Sequence, residues 1–122
     1  MRTVARTNNE TATFIFAGQE FRNPGGSMSG VICPAWQLPI MRRGWMPDDE
    51  RAAMIETFKG TAEDVLVLYS YDTPQAAVGL VSGKTWTTNA RYSQTTGRHR
   101  SIFESAVRNY SPSQRGYYAA QL

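Results

Sequence analysis

The chain has 122 residues and a net charge of +3, with 41% hydrophobic, 11% aromatic and 19% charged residues. That is the length of one domain and the composition of a chain that buries a core, which excludes a wholly disordered chain. No stretch approaches the ~18 consecutive apolar residues of a membrane span, the polar start Met1-Arg2-Thr3-Val4-Ala5-Arg6 is expected to carry no secretory signal, and a lone cysteine, Cys33, excludes an internal disulfide.

Thr11 to Ala17 (TATFIFA) is rich in β-branched and aromatic residues and predicts a strand. Gly18 then permits a turn, and Glu20 to Arg22 continues as the returning arm of a hairpin. Asn23-Pro24-Gly25-Gly26-Ser27 is turn chemistry. Residues 27–34 (SMSGVICP) predict a short edge strand. Residues 34–46 (PAWQLPIMRRGWM) combine large apolar groups with two prolines and a glycine, which forbid a long regular element. Such a segment either plugs the edge of a core or forms an exposed recognition surface.

Pro47 opens a helix over about 48–59, with Asp48, Asp49 and Glu50 at the positive end of its dipole. Ala52, Ile55 and Phe58 line its inner face, with Met54 beside them. Val65 to Tyr71 (VLVLYSY) is apolar on both faces and predicts a central strand covered on both sides. Residues 76–81 and 84–88 follow as strands joined at Ser82-Gly83. Asn89 to Thr96 is a polar loop in which Thr95 or Thr96 caps an amphipathic helix over 97–110. His99, Ile102, Phe103, Ala106, Val107 and Tyr110 face inward on that helix, and Arg98, Arg100 and Arg108 face outward. The pattern as a whole predicts an α+β fold: a small antiparallel sheet, with hairpin 65–88 at its centre, and two amphipathic helices. One domain spans 1–122, with flexible ends at 1–10 and 113–122.

The acids concentrate between Asp48 and Asp64, and the bases between Lys84 and Arg115. Arginine outnumbers lysine eleven to two, and its planar fork suits interfaces. A basic third with interleaved aromatics reads three ways: a solvated surface, a nucleic-acid footprint, or a patch that docks on an acidic protein. Reactive groups are scarce. Cys33 and His99 are the only thiol–imidazole pair, and Cys33, between Ile32 and Pro34, reads as a small buried hydrophobe. A zinc site of the usual kind needs more thiols and imidazoles. Gly25 to Gly30 lacks the lysine of a phosphate loop, and Gly83-Lys84-Thr85 lacks its upstream glycine. No catalytic residue, metal or cofactor is expected.

Two segments carry a resemblance. Tyr69-Ser70-Tyr71-Asp72-Thr73-Pro74-Gln75-Ala76, then Trp86-Thr87, then Arg91-Tyr92-Ser93-Gln94-Thr95-Thr96-Gly97-Arg98-His99 resemble a family of small uncharacterised phage and plasmid proteins. Members carry Ser-Tyr-x-Thr-Pro, a short hairpin, and Tyr-Ser-x-Thr-Thr-x-Arg-His opening a helix. The likeness covers about residues 65–105. Gly97 stands where a serine is common and Arg100 where a glutamine is common. The resemblance implies a phage or mobile-element source and brings no activity with it.

The functional expectation is a cytoplasmic, non-enzymatic phage protein that binds and inhibits a host protein or nucleoprotein complex, most concretely an anti-CRISPR or anti-defence protein. Arg91, Tyr92, Arg98 and Arg100 are its expected contacts, with Trp36 and Trp45 as apolar anchors. One alternative is a small single-strand nucleic-acid binder in which Tyr71, Trp86 and Tyr92 stack bases. The other is an anion- or nucleotide-sequestering protein with Thr95, Thr96, Arg98 and His99 around a helix start. No membrane partner is expected.

Overall fold

A computed structural model describes residues 3–90 and 92–122. Its first element corrects the sequence reading. Residues 8–17 form a helix, α1 (Asn8–Ala17), where composition predicts a strand over 11–17. The caps decide the outcome. Thr7 Oγ1 accepts the Glu10 N–H at 3.1 Å, and Gly18 turns left-handed with φ 64° and gives its N–H to carbonyls of the last turn. Between the caps, Thr11, Phe14 and Ile15 are buried at three- and four-residue spacing. Burial along that helical stripe overrides the strand preference of threonine, phenylalanine and isoleucine.

The arm at 20–22 does become a strand, β1 (Phe21–Arg22), but it pairs with β2 (Met28–Pro34) rather than with residues 11–17. Nor is β2 an edge, because β3 (Asp64–Ser70) pairs along its other side from Met28 to Pro34. β4 (Thr73–Gly79) and β5 (Thr85–Thr87) complete an antiparallel sheet of five strands in chain order, with β3 in the middle. The predicted α+β architecture and the central position of β3 therefore hold.

Alternation along β3 builds two cores, one on each face. Leu66 and Leu68 pack with Phe14 and Ile15 of α1 and with Phe103 of α3 (Gln94–Arg108). Val65, Val67 and Tyr69 pack with Met54 and Phe58 of α2 (Asp48–Phe58), with Trp86 of β5, and with Leu38 from a 3-10 turn at Ala35–Ile40. Burying each of the large apolar side chains stabilises the fold by roughly 1.5–3 kcal/mol. The inner face of α2 is Met54 and Phe58, four residues apart, whereas Ala52 is exposed. The chain after residue 111 forms a 3-10 turn, Pro112–Gln114, and a short helix, α4 (Arg115–Ala119). It lies along α1, where the Phe16 and Tyr118 rings meet at 4.9 Å. No described helix is long and apolar enough to cross a membrane.

Candidate functional site

The two segments singled out in the sequence meet in space. β3 and β4 are joined by two residues, Tyr71 and Asp72. So tight a connection demands left-handed backbone, and Tyr71 supplies it at φ 55°, where glycine is the usual choice. A non-glycine residue held there costs on the order of 1–3 kcal/mol, and such strain concentrates at functional positions. The N-terminus of α3 lies against this turn. Its cap is Ser93, whose Oγ accepts the Thr96 N–H at 3.1 Å, so neither Thr95 nor Thr96 has the capping role.

A hydroxyl chain ties the pieces together. Ser70 Oγ lies 2.7 Å from His99 Nδ1 and donates to Thr96 Oγ1 at 3.2 Å. Ser93 Oγ also donates to Thr96 Oγ1, at 3.1 Å. The direction of the Ser70–His99 hydrogen bond follows the His99 tautomer. Burial, then the Arg98 charge, lowers the His99 pKa below its ordinary value. His99 is therefore a neutral ring behind the site, 9% exposed and committed to Ser70, rather than a cation offered to an anion.

In front of the chain lies a cleft in two lobes that share Tyr92, Ser93 and Thr96. One lobe, of about 370 Å³, is also bounded by Gln75 and Arg100. The other, of about 270 Å³, is bounded by Trp45, Tyr71 and Asp72. Burial raises the Tyr92 hydroxyl pKa, and that hydroxyl has no hydrogen-bond partner among the described residues.

The segment that holds Trp45 is irregular but firmly placed. The Trp45 N–H donates to Thr73 Oγ1 at 3.1 Å, and Tyr69 OH donates to the Arg42 carbonyl at 3.0 Å. The Arg42 guanidinium sits 4.2 Å from the centre of the Tyr69 ring. Arg43 pairs with Asp48 at the start of α2. The segment does both things its composition suggests. Leu38 and Met46 plug the core, while Trp36 and Trp45 remain 72% and 83% exposed.

Of the residues singled out for binding, Tyr92, Arg100 and Trp45 border the cleft, and Thr96 lies in its wall. Arg100 is half-buried rather than on the outer face of its helix. Arg98 is exposed, Thr95 is half-buried in the first turn of α3, and Trp36 stands on the 3-10 turn. Arg91 lies outside the described residues. Trp86 is 6% exposed within the α2-side core, so it cannot stack on a base. Sequence reasoning missed Gln75 and Ser70. Gln75 follows Thr73-Pro74 in the first segment, and its place in a strand of otherwise small or apolar residues is the signal that could have found it.

Cys33 and His99 are not partners. Cys33 packs in the α2-side core, and burial, reinforced by the Asp64 charge, pushes its thiol up to about 11. Among the described residues no three of His, Cys, Asp and Glu gather as a metal-ligand set.

The chain belongs to a family of unknown function (DUF8033), which it matches over residues 5–117. The match extends well before residue 65, so the N-terminal half shares the family with the two segments that line the cleft. Nothing among the curated proteins or the solved structures matches the chain.

Proposed function

We propose that this member of the family is a binding protein without catalytic turnover, and that it inhibits a host protein or nucleoprotein complex on which it docks. One observation carries the reading: large aromatic side chains stand exposed on a frame that is itself well bonded. Trp36, Trp45 and Tyr71 are 72%, 83% and 57% exposed, while the backbone beneath Trp45 is pinned to Thr73. Tryptophan, tyrosine and arginine dominate the energetics of protein interfaces, and Trp45 and Tyr71 border the same lobe of the cleft. Arg98, exposed in the first turns of α3, is the charged contact proposed with them, and Arg100 borders the adjoining lobe of the cleft. The absence of turnover is supported by the state of Ser70. Its hydroxyl is enclosed between His99 and Thr96, and among the described residues no carboxylate orients the imidazole as a general base requires.

The source proposed is a phage or other mobile element, on the strength of the segments at 69–76 and 91–99, and an inhibitor of bacterial defence is the most concrete form of the proposal. The test is capture of a stoichiometric partner from host lysate by the immobilised protein, repeated with the Trp36→Ala/Trp45→Ala double variant. A partner kept by the wild type and lost by the variant supports the reading. Capture of no partner, or of the same partner by both, rejects it.

A second reading, binding of single-stranded nucleic acid, draws on the placement of Tyr71 and Tyr92 beside the cleft that Arg100 borders. It predicts binding that weakens steeply with salt. A flat titration at low salt removes it.

A further inference from the structure

The larger lobe of the cleft is bounded by side chains whose buried polar atoms have no partner among the described residues. Gln75 is fully buried. Its Nε2 donates to the Thr73 and Pro74 carbonyls at 3.3 and 3.2 Å. Two carbonyl acceptors can be met only by the amide nitrogen, so the orientation of the amide is settled and Oε1 faces the other way. Oε1 has no partner among the described residues, although the side chain bounds the cavity. A buried acceptor left unmet costs about 1–3 kcal/mol, and native structures keep few of them. The same cavity is bounded by Arg100, whose Nε is a buried donor with no partner among the described residues. Thr96 adds a second donor. Its Oγ1 already accepts from Ser70 and Ser93, which leaves its own hydrogen to give.

With the Tyr92 hydroxyl, also buried and without a partner among the described residues, the lobe offers an acceptor at Gln75, donors at Arg100 and Thr96, and a hydroxyl that can do either, in about 370 Å³, within the range of roughly 300–1,000 Å³ typical of small-molecule sites. A bare anion satisfies the donors and leaves Gln75 Oε1 unmet. A group that sets an N–H beside a carbonyl satisfies both. Its N–H meets Gln75, and its carbonyl meets Arg100 and Thr96. We propose that this lobe binds a nucleobase through a lactam edge, the N–H and C=O pair of uracil, thymine and guanine that adenine and cytosine lack, with Tyr92 walling one side. The base comes either as a free nucleoside or within a strand. The proposal does not depend on the Trp36 and Trp45 surface, so either can fail alone.

The test is a titration of the intact protein with uridine, guanosine, adenosine, cytidine and inorganic phosphate, followed by amide chemical shifts. Uridine or guanosine should saturate, move the amides of Gln75, Thr96 and Arg100, and bind at least about tenfold tighter than adenosine or cytidine, the worth of one hydrogen bond. Arg100→Met should weaken that binding at least about tenfold while the rest of the spectrum stays native. Arg100→Lys replaces it if the methionine variant does not fold. An oligouridine that binds tighter than uridine, with the same base preference, assigns the site to a base in a strand, and equal affinity assigns it to the free nucleoside. Equal response to all four nucleosides, response to phosphate alone, or no response at millimolar concentration overturns the proposal.

Discussion

The two faces of the sheet are covered in different ways. On the Leu66 and Leu68 face, α1 and α3 lay regular helices over the strands, and Phe14, Ile15 and Phe103 are wholly buried. On the Val65 and Val67 face, α2 shares the work with an irregular segment, which buries Leu38 and Met46 but leaves Trp36 and Trp45 outside. The strand between them is equally apolar on both sides, so the difference arises from what covers it. A helix turns every apolar residue of its stripe inward. A segment broken by Pro34, Pro39 and Gly44 spends some of its apolar residues on the core and presents the others to solvent. The second face is therefore where a binding surface can exist without a loss of packing.

The comparison breaks first in the cores. Phe103→Ala on one face and Phe58→Ala on the other should each cost about 3–5 kcal/mol in denaturant unfolding. Both rings are essentially sunless, at 0% and 1% exposure. A small effect at Phe58 would mean that the face shared by α2 and the irregular segment does not make a true core.

Gly18→Ala is next, at about 1–2 kcal/mol, since alanine must adopt the left-handed φ of 64° that ends α1. Thermal or denaturant melting reads it. A neutral result would mean that α1 does not need this cap to remain a helix against the strand preference of its residues.

His99 supplies the pH test. Its pKa is lowered in the folded protein, by burial first and then by Arg98. The unfolded chain therefore takes up a proton near pH ~6.5 that the folded protein still refuses. Stability is full above that pH and falls as pH drops through the folded value, because the unfolded state binds more protons in that window. His99→Asn should flatten that part of the stability–pH curve. An unchanged slope would show that the buried His99 ring does not set it.

These cases show how far the sequence was legible. The strand predicted over 65–71 reads correctly to Ser70, because its short run of mainly β-branched and apolar residues fits a strand covered on both sides, whereas Tyr71 belongs to the left-handed turn that follows. Residues 11–17 read wrongly because TATFIFA has the composition of a strand and the caps of a helix. Thr7 and Gly18 lie outside the window that composition weighs. The helix at 94–108 is readable from its stripe, but the pattern starts it late, at 97, since serine and threonine crowd the same loop and only geometry chooses Ser93. At the cleft, Tyr92, Thr96 and Arg100 were legible as polar groups near a helix start. Gln75 stands out in the sequence only as the one amide in a strand of small or apolar residues; its burial and its oxygen left without a partner are what a sequence does not display.

The smallest stability effect carries the largest functional weight. Trp36→Ala and Trp45→Ala each remove a ring that stands mainly in solvent, so each should change stability by no more than about 0.5 kcal/mol. The most direct measurement follows the melting temperature and partner retention of the double variant side by side with the wild type. The account predicts a melting temperature within a few degrees of wild type and a lost partner. A marked fall in melting temperature with the partner still bound would contradict it, because the two tryptophans would then belong to the core and not to the surface that binds.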